Sequence, residues 1–394
     1  MEIYDSKLNE LGSMSTKFHK ISTGYDQIIL ARPKLYDLLR RQVPAHKISM
    51  GKKVIRAKEH DSKVTAYCSD NTVYEGSILV GADGAYSAVR QNMYKQLEEE
   101  GKLPLRDKDA FSVGYIAMVG ISNPSNPERY PQLSETHRTH FRLVLGDNSD
   151  SCYVATAPEN QICWGIQLQL PEEKAREQKV RSSEWGSESV EVMIKQFQDL
   201  PCAFGGTMKE IFDATPRDLM SKVFLEEKVF QTWYHGRTVL IGDACHKLLP
   251  GAGQGAVTAM KDAVVLANSI FNMKDRSDQS VKRAFASYYG QCYQEAEVLT
   301  KSSALLTKMM FGHNWSDRLL RRVVISSLTD WLKQREASKN MQSRPQVNWL
   351  PLKKNRGSGN VLQPEGREEA EKKAQAQAQA RARADGEHYH RSRL

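Results

Sequence analysis

The pattern of apolar positions changes character at about residues 107 and 226. Before 107, short apolar runs alternate with charged ones. Ile28, Ile29 and Leu30 predict a short strand. Pro33 then stands where its fixed φ suits a helix start, Leu35, Leu38 and Leu39 recur at helical spacing, and Pro44 marks the stop. KKVIRAKEH, KVTAYCSD and SILVGADG read as strands, the last two joined across SDNTVYEG as a hairpin with a polar tip. From 107 to 225 the alternating segments lengthen. FSVGYIAMVGI, THFRLVLG, CYVATAP and ICWGIQLQL predict a mainly antiparallel sheet, and SVEVMIKQFQDL an amphipathic helix. The chain returns with a buried strand in RTVLIGDA, a glycine-rich turn and a helix over 256–271, with more helix to about 334. Past 337 the polar Ala and Gln repeats bury little, which predicts disorder or a loose helix. This pattern divides the chain into 1–106, 107–225, 226–336 and a tail at 337–394.

Composition narrows the function classes. The 394 residues are 40% hydrophobic and 26% charged, ordinary for a globular protein that buries a sizeable core. The net charge of +9 suggests nucleic acid until it is located. Residues 317–394 carry 17 Lys+Arg against 9 Asp+Glu, which leaves 39 against 38 for the first 316. The body is nearly neutral and has no basic stripe interleaved with aromatics, so nucleic acid is not a predicted partner. Six cysteines lie far apart, with no CxxC pair and no Cys/His cluster at zinc-site spacing. That predicts no metal and no disulfide framework, and fits a reducing compartment. There is no run of 18 apolar residues and no apolar segment of signal-peptide type at the N-terminus, so a cytoplasmic or loosely membrane-associated protein is expected. DRLLRRVVISSLTDWLKQ could touch a membrane surface or pack as an ordinary helix on the body.

Two stretches carry candidate chemistry. In ILVGADGAYSAVR (78–90) an apolar strand ends at Gly81, Asp83-Gly84 makes a turn, and Ser87 caps a following helix. Two readings are open: a plain strand-turn-helix, or a place where Gly84 lets backbone approach a dinucleotide beside Asp83. In IGDACHKLLPGAGQGA (241–256) Asp243 follows a buried strand, where a carboxylate can accept from ribose-type hydroxyls. The glycines leave main-chain N–H groups open to an anion or ring carbonyl, and the helix start near Ala256 adds partial positive charge. GAGQGA satisfies the relaxed G-x-G-x-x-A form, but no strand ending in an acid follows about 20 residues on. A simple helix start is the other reading. No G-x-S-x-G elbow or metal constellation competes.

Together, GADGAYSAVR and GDACHKLLPGAGQGA closely resemble two motifs of the FAD-dependent, single-component aromatic-hydroxylase-like monooxygenases, and the Arg32-Pro33-Lys34-Leu35 start resembles that family's Arg-x-x-Leu helix. The similarity spans roughly residues 20–310 and is nearest to the fungal branch that hydroxylates or epoxidises terpenoid and related secondary metabolites. It implies an α/β FAD/NAD(P)-binding fold: a mixed sheet with helices and an inserted, mainly antiparallel substrate domain at 107–225. Arg32 would sit by the FAD phosphates or ribityl chain. Asp83 and Gly84 would help hold FAD, and Asp243 would bond ribityl hydroxyls. Gly253, Gly255 and Ala256 would lie under the pyrimidine edge of the ring. His246 and Pro250 belong to the same motif; His246 is expected to bond local backbone, and Asp262 to face solvent or tie down the helix start. Val257 stands where many relatives carry Asn. The family's N-terminal strand and G-x-G-x-x-G have no counterpart here, so the first βαβ unit is expected to be missing.

The resemblance further implies that NAD(P)H and O₂ are co-substrates and that oxygen is transferred to an electron-rich ring or alkene of a small organic substrate. Tyr153 and Trp164 are candidate lining residues, though strand positions of this kind are also core positions. No catalytic side chain is singled out. The alternative is a non-catalytic, truncated remnant of the same fold that binds FAD weakly or not at all. A flavin dehydrogenase or halogenase on the same scaffold is a third reading, without the Trp-containing motif expected of the halogenases.

Overall fold

In this computed structural model the described residues are 1–170, 187–311 and 343–359, apart from 14, 136, 148, 149 and 352. The chain opens with β1 (Glu2–Tyr4), β2 (Glu10–Ser13), α1 (Lys17–Thr23) and α2 (Arg32–Arg40). It continues through β3 (Val54–His60), β4 (Lys63–Cys68), β5 (Val73–Gly76) and β6 (Leu79–Gly81) into α3 (Ala88–Glu99) and α4 (Leu105–Lys108). The long strands follow: β7 (Ser112–Ser122), β8 (Phe141–Leu145), β9 (Asp150–Ala157) and β10 (Gln161–Gln169). After α5 (Ser187–Phe197) and α6 (Met208–Asp213) come β11 (Met220–Val229), β12 (Tyr234–His235), β13 (Thr238–Leu240) and β14 (His246–Lys247). Two helices finish the body, α7 (Gly255–Phe271) and α8 (Asp278–Phe311).

The eight-stranded sheet has the order β14-β11-β7-β10-β9-β8-β1-β2. Its central strands are antiparallel, as the alternation predicts, and side chains of successive residues point to opposite faces. One face buries Met118, Ile162, Trp164 and Ile166 beneath Phe197 of α5 and Phe212 of α6. The opposite face carries Ala117 and Leu225, which pack with Leu249. β11 pairs with β7 over Met220–Glu227 and with β14 at Lys228 and Val229, so a single strand joins the sheet to the second motif. A separate sheet, β12-β13-β6, pairs β13 with β6 in parallel, Leu240 opposite Gly81. Around it Trp233, Val239, Leu240, Phe285 and Tyr288 form a core with α3, α7 and α8. The architecture is α/β with a large mixed sheet.

Several local expectations need correction. Ile28–Leu30 forms no strand: the stretch pairs with nothing regular, and Ile28 is 68% exposed. The polar-tipped hairpin is β4–β5, with β5 inside the segment read as the tip, while β6 pairs with β13 159 residues on. β1 and β2 extend the large sheet, although their few residues carry no clear periodicity. Helix α8 is described to Phe311, and the further helix expected to about 334 lies outside the described residues. Part of the 337–394 segment packs on the body. The Asn268 amide donates to Gln346 O at 2.9 Å and accepts from the Asn348 amide at 2.9 Å, and Ser358 N–H donates to Ile21 O.

Candidate functional site

The parallel pair β6–β13 sets the geometry. Both strands end at the same level, Gly81 opposite Leu240, and Ile241 N–H donates to Gly81 O at 3.0 Å. The two candidate acids therefore leave neighbouring strand ends in the same direction, although 160 residues separate them in sequence. In open α/β sheets the C-terminal strand edge is where ligands bind.

In the first loop Asp83 is exposed and already engaged with its own turn. Ser87 Oγ donates to Asp83 Oδ1 at 2.5 Å, and Val89 N–H donates to Oδ2 at 3.2 Å. Ser87 in turn accepts from Arg90 N–H at 2.9 Å, the expected helix cap. Gly84 has φ +82°, a conformation that side chains with a Cβ adopt at a cost.

The second loop is held more tightly. Gly242 also has a left-handed φ of +60°, and a Cβ there would lie 3.0 Å from the Ala259 methyl of α7. Asp243, about one-third exposed, accepts from Lys247 Nζ at 2.5 Å. The chain then makes a single 3₁₀ turn over Pro250–Ala252, passes Gly253 at φ +62°, and enters α7 at Gly255. No side chain caps this 17-residue helix, so its first N–H groups have no intrahelical partner and carry the positive end of the dipole. A Cβ built on Gly84, Gly253 or Gly255 meets no atom within 4 Å, so the backbone borders open space. Gly253 and Ala256 are exposed there, as is Val257. The partly exposed Asp243 carboxylate, open glycine backbone and an uncapped helix start fit a ligand with hydroxyls at one end and hydrogen-bond acceptors at the other.

Arg32 stands apart. It is exposed at the first turn of α2, and among the described residues no hydrogen bond ties it to either loop. That helix is linked instead to the β9–β10 turn by Lys34–Glu159 at 2.7 Å. Trp164 is fully buried on the α5/α6 face of the large sheet, its Nε1 donating to Thr215 Oγ1 at 2.9 Å. Trp164 is thus a core residue rather than a cavity wall. Tyr153 projects from the other face and stacks on Phe141 at 5.4 Å.

Arg90, Tyr86 and Glu226, not singled out in the sequence, and Asp262, which was, organise the site. Arg90, 5% exposed, donates through Nη1 to Ala244 O at 2.8 Å and through Nη2 to Ala85 O at 2.6 Å. Its guanidinium also lies 4.2 Å over the Phe230 ring. The Tyr86 hydroxyl donates to Glu226 of β11. Burial pushes the Glu226 carboxyl up, partly offset by that bond and by the Lys247 ammonium. Asp262 does not face solvent. It is buried in α7, and its Oδ2 accepts from His246 Nε2 at 2.6 Å and Gly242 N–H at 2.9 Å.

Cys245, His246 and Asp262 offer donor atoms within 4.8 Å of one another. Two ligands of one tetrahedral zinc stand about 3.3 Å apart for bonds near 2.0 Å. The 2.6 Å His246–Asp262 contact is instead a hydrogen-bond length. Burial and the nearby Asp262 charge raise the Cys245 thiol well above its usual range, away from the thiolate a metal needs.

Comparison with known proteins agrees with this geometry. A family model described as an FAD binding domain matches residues 205–300, which include the second loop and all of α7. The FAD-dependent monooxygenase esdpE of Penicillium shearii is 27% identical over 340 residues, covering 84% of this chain and 67% of the relative. The FAD-dependent monooxygenase atmM of Aspergillus flavus is 27% identical over 348 residues, covering 85% and 69%. The chain thus spans about two thirds of the length of these relatives. Among solved structures, HpxO of Klebsiella pneumoniae complexed with FAD and uric acid superposes with a TM-score of 0.65 at 18% identity, covering 85% of this chain and 78% of that one. A salicylate hydroxylase substrate complex gives 0.57 at 19%, covering 86% and 81%. The chain thus has the fold of these aromatic-hydroxylase-like proteins, carries an FAD-binding-domain match over its second loop, and is similar to FAD-dependent monooxygenases over about 85% of its length.

Proposed function

We propose that this chain binds FAD across the ends of β6 and β13 and acts as an NAD(P)H- and O₂-dependent monooxygenase on a small, electron-rich terpenoid or aromatic substrate. The observation that carries the reading is the convergence of the Asp83 and Asp243 loops beside the uncapped start of α7. FAD supplies hydride acceptance and oxygen activation; the protein supplies position and electrostatics. In this reading Asp243 exchanges its bond from Lys247 for ribityl hydroxyls, and Asp83 with Gly84 shapes the approach to the same ligand. The N–H groups at Gly253, Gly255 and Ala256 favour negative charge at the ring edge. Arg32 would reach the phosphates from α2, which requires the ligand to extend beyond the two loops.

The substrate would lie over the face of the large sheet that carries Ala117 and Leu225, next to Leu249, with residues 107–225 as the substrate-covering part. Ala117, Leu225 and Leu249 are apolar, and a substrate seated beside them would be shielded from water. Glu227 adds a half-buried carboxyl whose Oε2 has no partner among the described residues, and burial pushes it up. Such a group can hold a proton or accept from a substrate hydroxyl.

The test uses the full chain mixed with FAD. Retained flavin, seen as absorbance near about 450 nm, and NADH or NADPH oxidation dependent on O₂ are expected. A panel of indole, phenol and terpenoid alkene substrates then identifies the class by product mass. A chain that retains no flavin is not an enzyme in this form and would be a non-catalytic relative.

A further inference from the structure

Asp243 is the only residue of its turn whose side chain the proposed reading assigns to the ligand, yet nothing it touches locally is rigid: Lys247 is a flexible, partly exposed partner. The turn is fixed from behind. A single oxygen, Asp262 Oδ2, accepts from Gly242 N–H at 2.9 Å and from His246 Nε2 at 2.6 Å. These donors lie immediately before Asp243 and three residues after it. The carboxylate thus brackets the turn at both ends. His246 and Asp262 are each 1% exposed, and the Trp233 ring packs 5.2 Å from the imidazole. Around this clasp, Cys245 N–H closes the turn on Gly242 O at 2.9 Å, and Cys245 O accepts from Phe230 N–H at 3.0 Å. The clasp is therefore dry and short, where a charge-assisted hydrogen bond is strong.

Resting on the proposed reading of Asp243, we infer that Asp262 is a positioning residue for ligand binding: through Gly242 and His246 it fixes the turn that aims the Asp243 carboxylate at the flavin's hydroxyls. Asp262 belongs to α7, the same helix whose open N-terminus borders the site. The carboxylate and the helix start are consequently locked in one frame, so hydroxyl recognition and ring-edge recognition keep a fixed spacing. His246 is a spacer in this arrangement.

The experiment is a double-mutant cycle read as the FAD dissociation constant, from quenching of FAD fluorescence on binding to the full chain. Asp262→Asn keeps the shape and loses the charge, and is expected to weaken FAD binding about tenfold. Asp243→Ala is expected to weaken it by a similar factor or more. In the Asp243→Ala background the Asp262→Asn effect should shrink to within about twofold, because nothing remains to be aimed. His246→Gln repeats the cycle from the other end of the clasp and carries the test if Asp262→Asn does not fold. An equal loss in both backgrounds means that Asp262 only stabilises the fold, and overturns the inference. Weakening by Asp243→Ala with none by Asp262→Asn also overturns it. If Asp243→Ala leaves FAD binding intact, or the unmodified chain does not bind FAD, the site reading fails and the inference with it.

Discussion

The guanidinium of Arg90 donates to the main-chain carbonyl of Ala244, 154 residues further along the chain, at 2.8 Å. Its other arm holds Ala85 O at 2.6 Å, so a single buried side chain fastens the Asp83 loop to the Asp243 loop. Lysine cannot reproduce two divergent donors on one planar group. Arg90→Lys is expected to destabilise the fold by about 2–4 kcal/mol, since two buried carbonyls lose charged donors. Thermal unfolding checks the stability. FAD titration of the variant below its midpoint should show weaker binding, because the relative placement of the loops is lost.

Asp243→Asn retains an acceptor but neither the charge nor the ion pair with Lys247. Exposed ion pairs contribute about 1 kcal/mol or less, so the thermal midpoint should barely move. FAD affinity should fall about tenfold, the effect of removing charge from a ligand hydrogen bond. A large change in stability with unchanged affinity would make Asp243 a structural residue.

Gly253 combines a positive φ with open space where a Cβ would stand. Gly253→Ala should therefore cost only the backbone term, about 1 kcal/mol. Replacement by Val fills the space that a planar ring would occupy. Gly253→Val is expected to abolish flavin retention while leaving the far-UV circular dichroism spectrum unchanged.

Glu226 gives a pH dependence with a definite sign. Burial raises its carboxyl above the ordinary 4.5, so from 4.5 upward the folded protein holds a proton that the unfolded chain releases. Its contribution to stability is full below 4.5 and is lost as pH rises through the raised value. Glu226→Gln removes that loss and should flatten stability against pH in this window. Tyr86→Phe removes a bond that favours the ionised form, and should extend the decline to higher pH. Denaturant unfolding at a series of pH values measures both.

The sequence revealed one side of each of these relationships. Asp243 and its glycines were legible because a strand, an acid and a glycine turn lie consecutively, and the chemistry of such a run is local. Leu35, Leu38 and Leu39 likewise announced α2, and the alternation from 112 to 169 announced β7–β10. Arg90, Glu226 and Asp262 were not legible in their roles. Their partners stand 154, 140 and 20 residues away, and no periodicity encodes which distant carbonyl or hydroxyl a charge will meet. Ile28–Leu30 misled for the opposite reason: three apolar residues suffice to suggest a strand, but pairing requires a partner strand alongside. β1 was hidden because it buries only Ile3.

Helix α8 strings the first part of the second loop, Leu240 to Leu249, between two posts. About a third of the way along it the Tyr288 hydroxyl donates to Leu240 O at 3.1 Å; fifteen residues later Ser303 Oγ donates to Leu249 O at 2.6 Å. Those posts stand about 22 Å apart along a helix rising 1.5 Å per residue. The nine residue steps they anchor can extend to at most about 31 Å. Just past the second post, a Cβ on Gly251 would come within 2.5 Å of Thr307 Oγ1, so the backbone there lies close against the helix. Losing two residues would leave about 24 Å of chain, enough to bridge the posts only by unwinding the turn that presents Asp243. The length of this loop is therefore dictated by a helix that follows it in sequence, and insertions or deletions belong elsewhere in the fold.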